Sequence, residues 1–200
     1  MIGYTEAARD YIADLYPTDV TAAQALLAEA GWIDSDNDGV LDKDGAPLAA
    51  ELLIDSGSAL ATGAAPVIQA QLKAMGMDLS IAQVDLTTQY EILDTGDYDA
   101  SISGYIWSDP DILTYRFATG SSQSGYVTEA MDAALTEARS IADPQARAAA
   151  YLEIQKMLMD DVPSIPLMSE TLIIGMRSWV QGAQVLAPDR LILNDVMIVE

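Results

Sequence analysis

The chain has 200 residues, half of them hydrophobic, a length that favours one well-packed globular domain over two. Its 31 acidic residues against 9 basic ones give a formal net charge of -22, which excludes a phosphate-neutralising nucleic-acid surface and disfavours an anionic membrane surface. It contains no cysteine and no histidine, so disulfides, thiolate chemistry, a Ser-His-Asp hydrolase and a histidine-ligated zinc enzyme are excluded.

The first half of the chain alternates helical and extended patterns. Apolar residues at helical spacing predict a helix from Asp19 to Gly31, with Asp19 as its N-cap, and a strand follows from Leu48 to Ile54. A second helix is predicted from Ala65 to Met75 and is closed by Gly76. The next elements are a strand, a helix and a strand, predicted at Met77 to Ile81, Leu86 to Leu93 and Tyr98 to Ile106.

The second half begins with two helices. One is predicted from Val127 to Ala142, and Asp143 with Pro144 begins another that continues to about Asp160. Short strands are predicted beyond it, at Pro163 to Leu167, Thr171 to Met176 and Leu191 to Val199. Strands separated by helices require crossover connections, so the predicted fold class is α/β, with a mixed, mainly parallel sheet and helices on both faces.

The segment from Gly104 to Asp111 is the candidate ligand site. It leaves the end of a predicted strand, and ligands of open α/β sheets bind outside the carboxyl ends of the strands. Its aromatic side chains offer apolar walls, and its hydroxyl and carboxylate groups offer hydrogen-bond acceptors. The candidate residues are Tyr105, Ile106, Trp107, Ser108, Asp109 and Asp111. The alternative is that the aromatic residues belong to the core and that Asp109 with Pro110 begins a helix.

An acidic loop matches the first half of an EF-hand calcium loop. Its carboxylates alternate and a glycine stands at the sixth position, so that oxygen atoms can surround a hard cation. The candidate ligands are Asp34, Asp36, Asp38 and Asp42, with Gly39 as the glycine. The twelfth position is Gly45 where an EF-hand has a bidentate glutamate, and a strand follows where an EF-hand has a helix. The alternative is an ordinary tight turn.

Three stretches, in this order, resemble the C-terminal lobe of family 5 extracellular solute-binding proteins, the oligopeptide and dipeptide class of ABC transporters. The first reads AQALLAEAGW and then DSDNDGVLDKDG, within Asp19 to Gly45. The second is GDYDASISGYIWSDPD, from Gly96 to Asp111. The third contains DPQAR, YLEIQ and DVPSIPL, within Ala142 to Leu167.

The resemblance implies a type II periplasmic-binding-protein-like lobe. Residues 1–200 would form the single C-terminal lobe of a two-lobed receptor without its N-terminal lobe, and residues 168–200 would lead back toward that lobe. The two lobes would close over a peptide or another small solute, and the closed form would deliver it to a membrane permease. The protein would then be a monomer in the periplasm or cell envelope, without enzymatic activity and without a cofactor.

The resemblance also bears on how a ligand is held. Peptide-binding relatives carry an aspartate, just after a Gly-aromatic pair, that pairs with the free α-amino group of the ligand. The alignment places Ser108 at that position, whereas Asp109 belongs to the following Asp-Pro-Asp element. A peptide amine would therefore have to be met by Asp109.

Two other classes of function are consistent with single features. A carboxylate-based glycosidase would use Asp109 and Asp111 as general acid and nucleophile, although two aspartates separated by one proline are poorly placed for opposite faces of a sugar. A calcium-stabilised interaction module would depend on the acidic loop alone.

Overall fold

The computed structural model describes residues 15–107, 109–120, 124–168, 173–186 and 190–199. The described chain divides into two compact units. The first comprises residues 15–104 with residues 124 and 125, and the second comprises residues 105–120 and the described residues from 126 to 199.

The first unit opens with helix α1 (Val20–Glu29) and a small hairpin. The Asp19 side chain accepts a hydrogen bond from the Ala22 amide, as an N-cap does, and Gly31 follows the helix with a φ of 91°. The hairpin pairs β1 (Asp42–Lys43) with β2 (Ala46–Pro47). Its two-residue turn has positive φ at both Asp44 and Gly45, the conformation that Asp-Gly sequences favour in tight hairpins. The predicted helix and its cap are confirmed.

A parallel three-stranded sheet forms the centre of the first unit. Its order is β4 (Asp78–Val84), β3 (Ala49–Asp55) and β5 (Ala100–Ile102), with β3 in the middle. The predicted strand from Tyr98 to Ile106 is too long, because pairing with β3 ends at Ile102 and the chain continues as irregular structure. The predicted α/β class is confirmed.

Helices pack against this sheet and bury the centre of β3, from Leu52 to Ile54, on both faces. Leu52 and Ile54 form a core with α2 (Ala59–Lys73), whereas Leu53, on the other face, is equally buried. The other helix in contact with β3 is α3 (Leu86–Thr95). Helix α2 begins six residues earlier than predicted, because Ser58 caps it and Pro66 is accommodated in its interior.

In the described part of the second unit the core is formed by three helices, α4 (Ile112–Phe117), α5 (Glu129–Ser140) and α6 (Pro144–Asp161). Asp143 caps α6 through the Ala146 amide, as predicted. One face of each helix is apolar, and the three faces meet in a single core. Its fully enclosed residues are Leu113, Phe117, Met131, Leu135, Ala138, Tyr151, Ile154 and Leu158.

Beyond α6 the described chain forms only short ladders. Strand β6 (Val180–Gln181) pairs with β9 (Met197–Ile198), and β7 (Gln184–Leu186) pairs with β8 (Arg190–Ile192). The strand predicted from Leu191 to Val199 is therefore two short pieces. The strand predicted from Pro163 to Leu167 is wrong, since this segment has no ladder and its two prolines lack the amide that pairing requires.

Part of one prediction lies outside the described residues. Thr171 and its neighbour at 172 are not described, and residues 173–176 form no strand. Within the described ranges, no helix combines the length and apolar character needed to cross a bilayer.

Candidate functional site

From Tyr105 onward the candidate ligand turn belongs to the second unit, and helix α4 follows it. Ser108 lies outside the described residues. The turn at Asp109 to Asp111 is closed by the Asp111 amide, which donates to the Asp109 carboxylate at 2.8 Å. Asp109 and Pro110 lead into a helix as the alternative expected, since the amides of Ile112 and Leu113 donate to their carbonyls, and α4 itself begins at Ile112 after its N-cap Asp111. The other part of that alternative, aromatic residues in the core, is wrong for Trp107, which is 53% exposed.

Asp109 forms a two-pronged ion pair with Arg147 at the start of α6. The two guanidinium nitrogens of Arg147 donate to the two carboxylate oxygens at 2.8 and 3.2 Å. These bonds hold the pKa of Asp109 below its usual value, and they raise the pKa of Arg147. Arg147 also lies over the ring of Tyr151, 4.9 Å from its centroid. Asp109 is thus tied to α6.

Asp111 is the centre of a second set of contacts. Its Oδ1 accepts from the Thr114 hydroxyl at 2.7 Å and from the Tyr151 hydroxyl at 3.1 Å, and Nε of Arg139 lies 3.1 Å away. Tyr151 is buried, and this burial together with the Asp111 charge raises its pKa to about 12. Asp111 thereby connects the turn to the last turn of α5 and to the middle of α6.

The remaining predicted residues of the turn present apolar surface. Ile106 is 62% exposed and Trp107 is 53% exposed, while Tyr105 is half-buried. Tyr105 makes an edge contact with Tyr115, with ring centroids 5.9 Å apart. A broad aromatic side chain in the open is typical of a surface that a ligand or partner covers.

Sequence reasoning missed Arg116, which completes this surface. The guanidinium of Arg116 lies 5.0 Å from the centroid of the Tyr105 ring, and its Nη1 donates to the Tyr105 hydroxyl at 3.2 Å. The two residues are 11 positions apart and belong to a turn and a helix. The one clue in the sequence is that Arg116 follows the Asp-Pro-Asp element by little more than one helical turn, on the helix that this element precedes.

The acidic loop brings three of its four predicted ligands together. One carboxylate oxygen from each of Asp34, Asp36 and Asp38 lies within 4.8 Å of the other two. We call these three residues the acidic cluster. Asp42 is not in it, because its Oδ2 accepts from both the amide and the hydroxyl of Ser35, contacts that lower its pKa.

The loop also provides hydrogen bonds of its own. Asp34 accepts from the amides of Asp38 and Gly39, at 3.1 Å each, and Asp38 accepts from the amide of Val40. Such bonds are those of tight turns rich in aspartate and glycine. The geometry is compatible with an ordinary turn and with a hard-cation site, and calcium binding stays a prediction.

The contacts of Asp109 bear on the glycosidase alternative. A general acid needs a carboxyl pKa raised toward neutrality, so that the group carries a proton at working pH. The pKa of Asp109 is shifted the other way by Arg147. The arrangement is therefore that of a structural ion pair.

Comparison with known proteins places the chain in a family. Residues 3–126 match the bacterial extracellular solute-binding proteins, family 5 Middle. The chain belongs to this family, whose description is that of solute-binding proteins, and the predicted resemblance is confirmed.

Two relatives show the extent of the similarity. The oligopeptide-binding protein AppA of Bacillus subtilis is 29% identical over 164 residues, which cover 74% of this chain and 30% of AppA. The di/tripeptide-binding protein 2 of Pseudomonas aeruginosa is 29% identical over 193 residues, covering 91% of this chain and 33% of that protein. The chain therefore spans about a third of the length of these relatives.

The fold agrees with this placement. The structure of AppA from Bacillus subtilis in complex with a nonapeptide superposes with a TM-score of 0.63 at 28% sequence identity. The match covers 74% of this chain and 32% of that one. The type II periplasmic-binding-protein fold expected from the sequence is confirmed.

Proposed function

We propose that this chain is part of the substrate-binding component of an ABC transporter. The component captures a peptide or another small solute by closure of two lobes and delivers it to a membrane permease. The observation that carries the proposal is membership of the solute-binding family over residues 3–126. The names of the two relatives, one oligopeptide-binding and one di/tripeptide-binding, favour a peptide ligand.

The turn from Tyr105 to Asp111 is the proposed ligand surface of this chain. Its exposed aromatic and aliphatic side chains would contact the solute, because burying them removes apolar surface from water. Asp109 and Asp111 would support the same site indirectly, since their carboxylates hold the turn against α5 and α6. A site whose support is fixed before binding loses less entropy when the ligand arrives.

Residues 168–200 are proposed to pack against another part of the receptor. Ile173 and Ile198 are 87% and 77% exposed, so this stretch presents apolar side chains to solvent. The described part of the stretch contains only two-stranded ladders, which are marginal on their own in water. Contact with a second lobe would bury these side chains, and residues 1–200 would then form the C-terminal lobe.

The setting follows from the same proposal. A receptor of this kind works outside the cytoplasm, in the periplasm or on the cell envelope, as a monomer that changes shape on binding. Ligand contacts from both lobes would shift the population toward the closed form. We propose that it carries out no chemistry on its ligand.

An exposed aromatic residue outside the proposed site provides a control for the ligand surface. Trp107 lies in the proposed site and is 53% exposed, whereas Tyr90 lies on α3, in the other unit, and is 37% exposed. Solutes that raise the melting temperature of the full-length protein would be found by a thermal-shift screen and their affinities measured by calorimetry. We expect Trp107→Ala to weaken binding roughly 10-fold or more, about 1.4 kcal/mol, and Tyr90→Ala to leave it unchanged. Equal affinity in the two variants would remove the turn from the binding site.

A further inference from the structure

The four cationic side chains of α4, α5 and α6 differ in whether a carboxylate pairs with them. Arg139 pairs with Asp111, Arg147 with Asp109, and Lys156 with Glu153. Arg116 is the fourth cation of these helices, and among the described residues no carboxylate lies within ion-pair distance of it. Among the described residues Lys43, Lys73, Arg177 and Arg190 have no ion pair either, and Arg116 differs from them in lying beside the candidate ligand turn.

The position of Arg116 is fixed by aromatic contacts. Its guanidinium is held against Tyr105, whose hydroxyl accepts one of its five N–H donors. Tyr105 in turn makes an edge contact with Tyr115. A guanidinium stacked on an aromatic ring is held in place while its outward N–H groups remain available for a planar oxyanion.

The two acidic groups of the turn do not cancel this charge. Asp109 and Asp111 have their own arginine partners, at 2.8 and 3.1 Å. Each of those pairs is close to neutral, so the surface formed by the turn and α4 keeps the positive charge of Arg116 beside exposed apolar side chains. Such a surface is complementary to a ligand with an anionic end and an apolar body.

We propose that Arg116, stacked on Tyr105, binds a carboxylate of the transported solute. This inference rests on the proposed receptor function and names the chemical class of its ligand. The carboxylate can be the C-terminus of a peptide or belong to a small organic acid, and both present the same planar acceptor to a guanidinium. On this account the ligand is recognised at the turn by its anionic end, whereas Asp109 stays with Arg147.

The test uses the full-length protein and three probes in calorimetry: trialanine, trialanine amide and citrate. Trialanine and its amide differ only in the C-terminal charge, and citrate is a carboxylate without a peptide. We expect wild type to bind trialanine or citrate, and to bind trialanine amide at least 10-fold more weakly than trialanine if a peptide is the source. Arg116→Gln should weaken the carboxylate probe roughly 10- to 100-fold and remove the preference over the amide.

Two further variants separate charge from folding. Lys73→Gln removes one positive charge from α2, in the other unit, and should retain wild-type affinity and preference. Arg116→Lys keeps the charge without the planar fork and should retain part of the preference. Thermal melts of all variants exclude unfolding as the cause of a loss.

The outcomes distinguish this inference from the function on which it rests. Binding of a neutral solute together with no binding of any carboxylate probe would overturn the role of Arg116 and leave the receptor function standing. The same conclusion follows if Arg116→Gln binds trialanine or citrate as tightly as wild type. If no solute binds to the wild-type protein at all, both proposals fail.

Discussion

The ion pair between Asp109 and Arg147 is the contact that most directly fixes the candidate ligand turn, and its strength can be measured. We consider a double-mutant cycle of Asp109→Asn, Arg147→Met and the combined variant. The side chains are 49% and 26% exposed, so solvent screens much of their attraction. The two parallel hydrogen bonds and the stacking on Tyr151 place the pair at the upper end of surface ion pairs, and we expect a coupling free energy of about 1 kcal/mol.

A second pair in the same unit provides a control. Lys156 and Glu153 lie three residues apart on α6, and their bond joins no separate elements. Pairs of this kind contribute about 0.2 to 0.5 kcal/mol. The coupling energies of both pairs would be obtained from urea unfolding followed by circular dichroism, with equal m-values required across each cycle. A coupling between Asp109 and Arg147 no larger than that of the control pair would refute the idea that it fixes the turn.

The pH dependence of the same pair has a defined sign. Because the folded pKa of Asp109 is lowered, the contribution of this group to stability is fully present above its unfolded pKa of about 4. It is lost as the pH falls through the folded pKa. The stability difference between wild type and Asp109→Asn should therefore be constant near neutral pH and shrink below about pH 4. A difference that grows on acidification would contradict the assigned pairing.

Three other predictions concern single features. The pKa of Tyr151 is raised to about 12, so the free energy of unfolding should fall between about pH 10 and pH 12, where only the unfolded chain ionises at this tyrosine. Tyr151→Phe should flatten that part of the plot of urea midpoint against pH. An unchanged plot would argue against the buried contact with Asp111. Gly76 has a φ of 87°, and an added Cβ would lie 2.7 Å from Cγ of Leu41, so Gly76→Ala should lower the free energy of unfolding in urea by about 1 to 3 kcal/mol. An unchanged free energy would show that Gly76 and Leu41 are not this close. If the acidic cluster binds calcium with a dissociation constant of about 1 mM, about 10 mM calcium should add roughly 1.4 kcal/mol to the free energy of unfolding and raise the melting temperature by about 3 to 5 °C. Asp34→Asn and magnesium at equal ionic strength serve as controls. An unchanged melting temperature would refute calcium binding at this cluster.

Local features of the fold were predictable from the sequence. Asp19 and Asp143 each precede an apolar run at helical spacing, and both cap the helices expected after them. Capping acts over three residues and packing periodicity over a few turns, so both can be read from neighbouring residues. The start of α2 is an exception, because the helix begins at its Ser58 cap and accommodates Pro66 in its interior.

Strand ends depended on partners that the sequence does not reveal. Residues 103–106 continue the extended pattern of β5, but a strand exists only where a neighbour pairs with it, and β3 ends its pairing at Ile102. The apolar run from Pro163 to Leu167 misled for a similar reason. Its two prolines remove donors, and hydropathy alone does not register their absence.

The candidate site was predicted in position but not in its connections. The turn and its residues could be chosen because a strand end in an α/β fold is a recurrent ligand site. Arg147, which pairs with Asp109, and Tyr151, one of the partners of Asp111, are 38 and 40 residues away on α6, and no local pattern links them to the turn. Arg116 was missed because its contact with Tyr105 joins a helix to a turn 11 positions away, which only the packing shows.

The most direct test of the receptor function is native mass spectrometry of the full-length protein, before and after incubation with mixed peptides and common small solutes. We expect a noncovalent complex of one protein with one solute, which dissociates to release the solute with unchanged mass. A solute released in chemically altered form would move the assignment to an enzyme, and the absence of any bound solute under all conditions would contradict the receptor function.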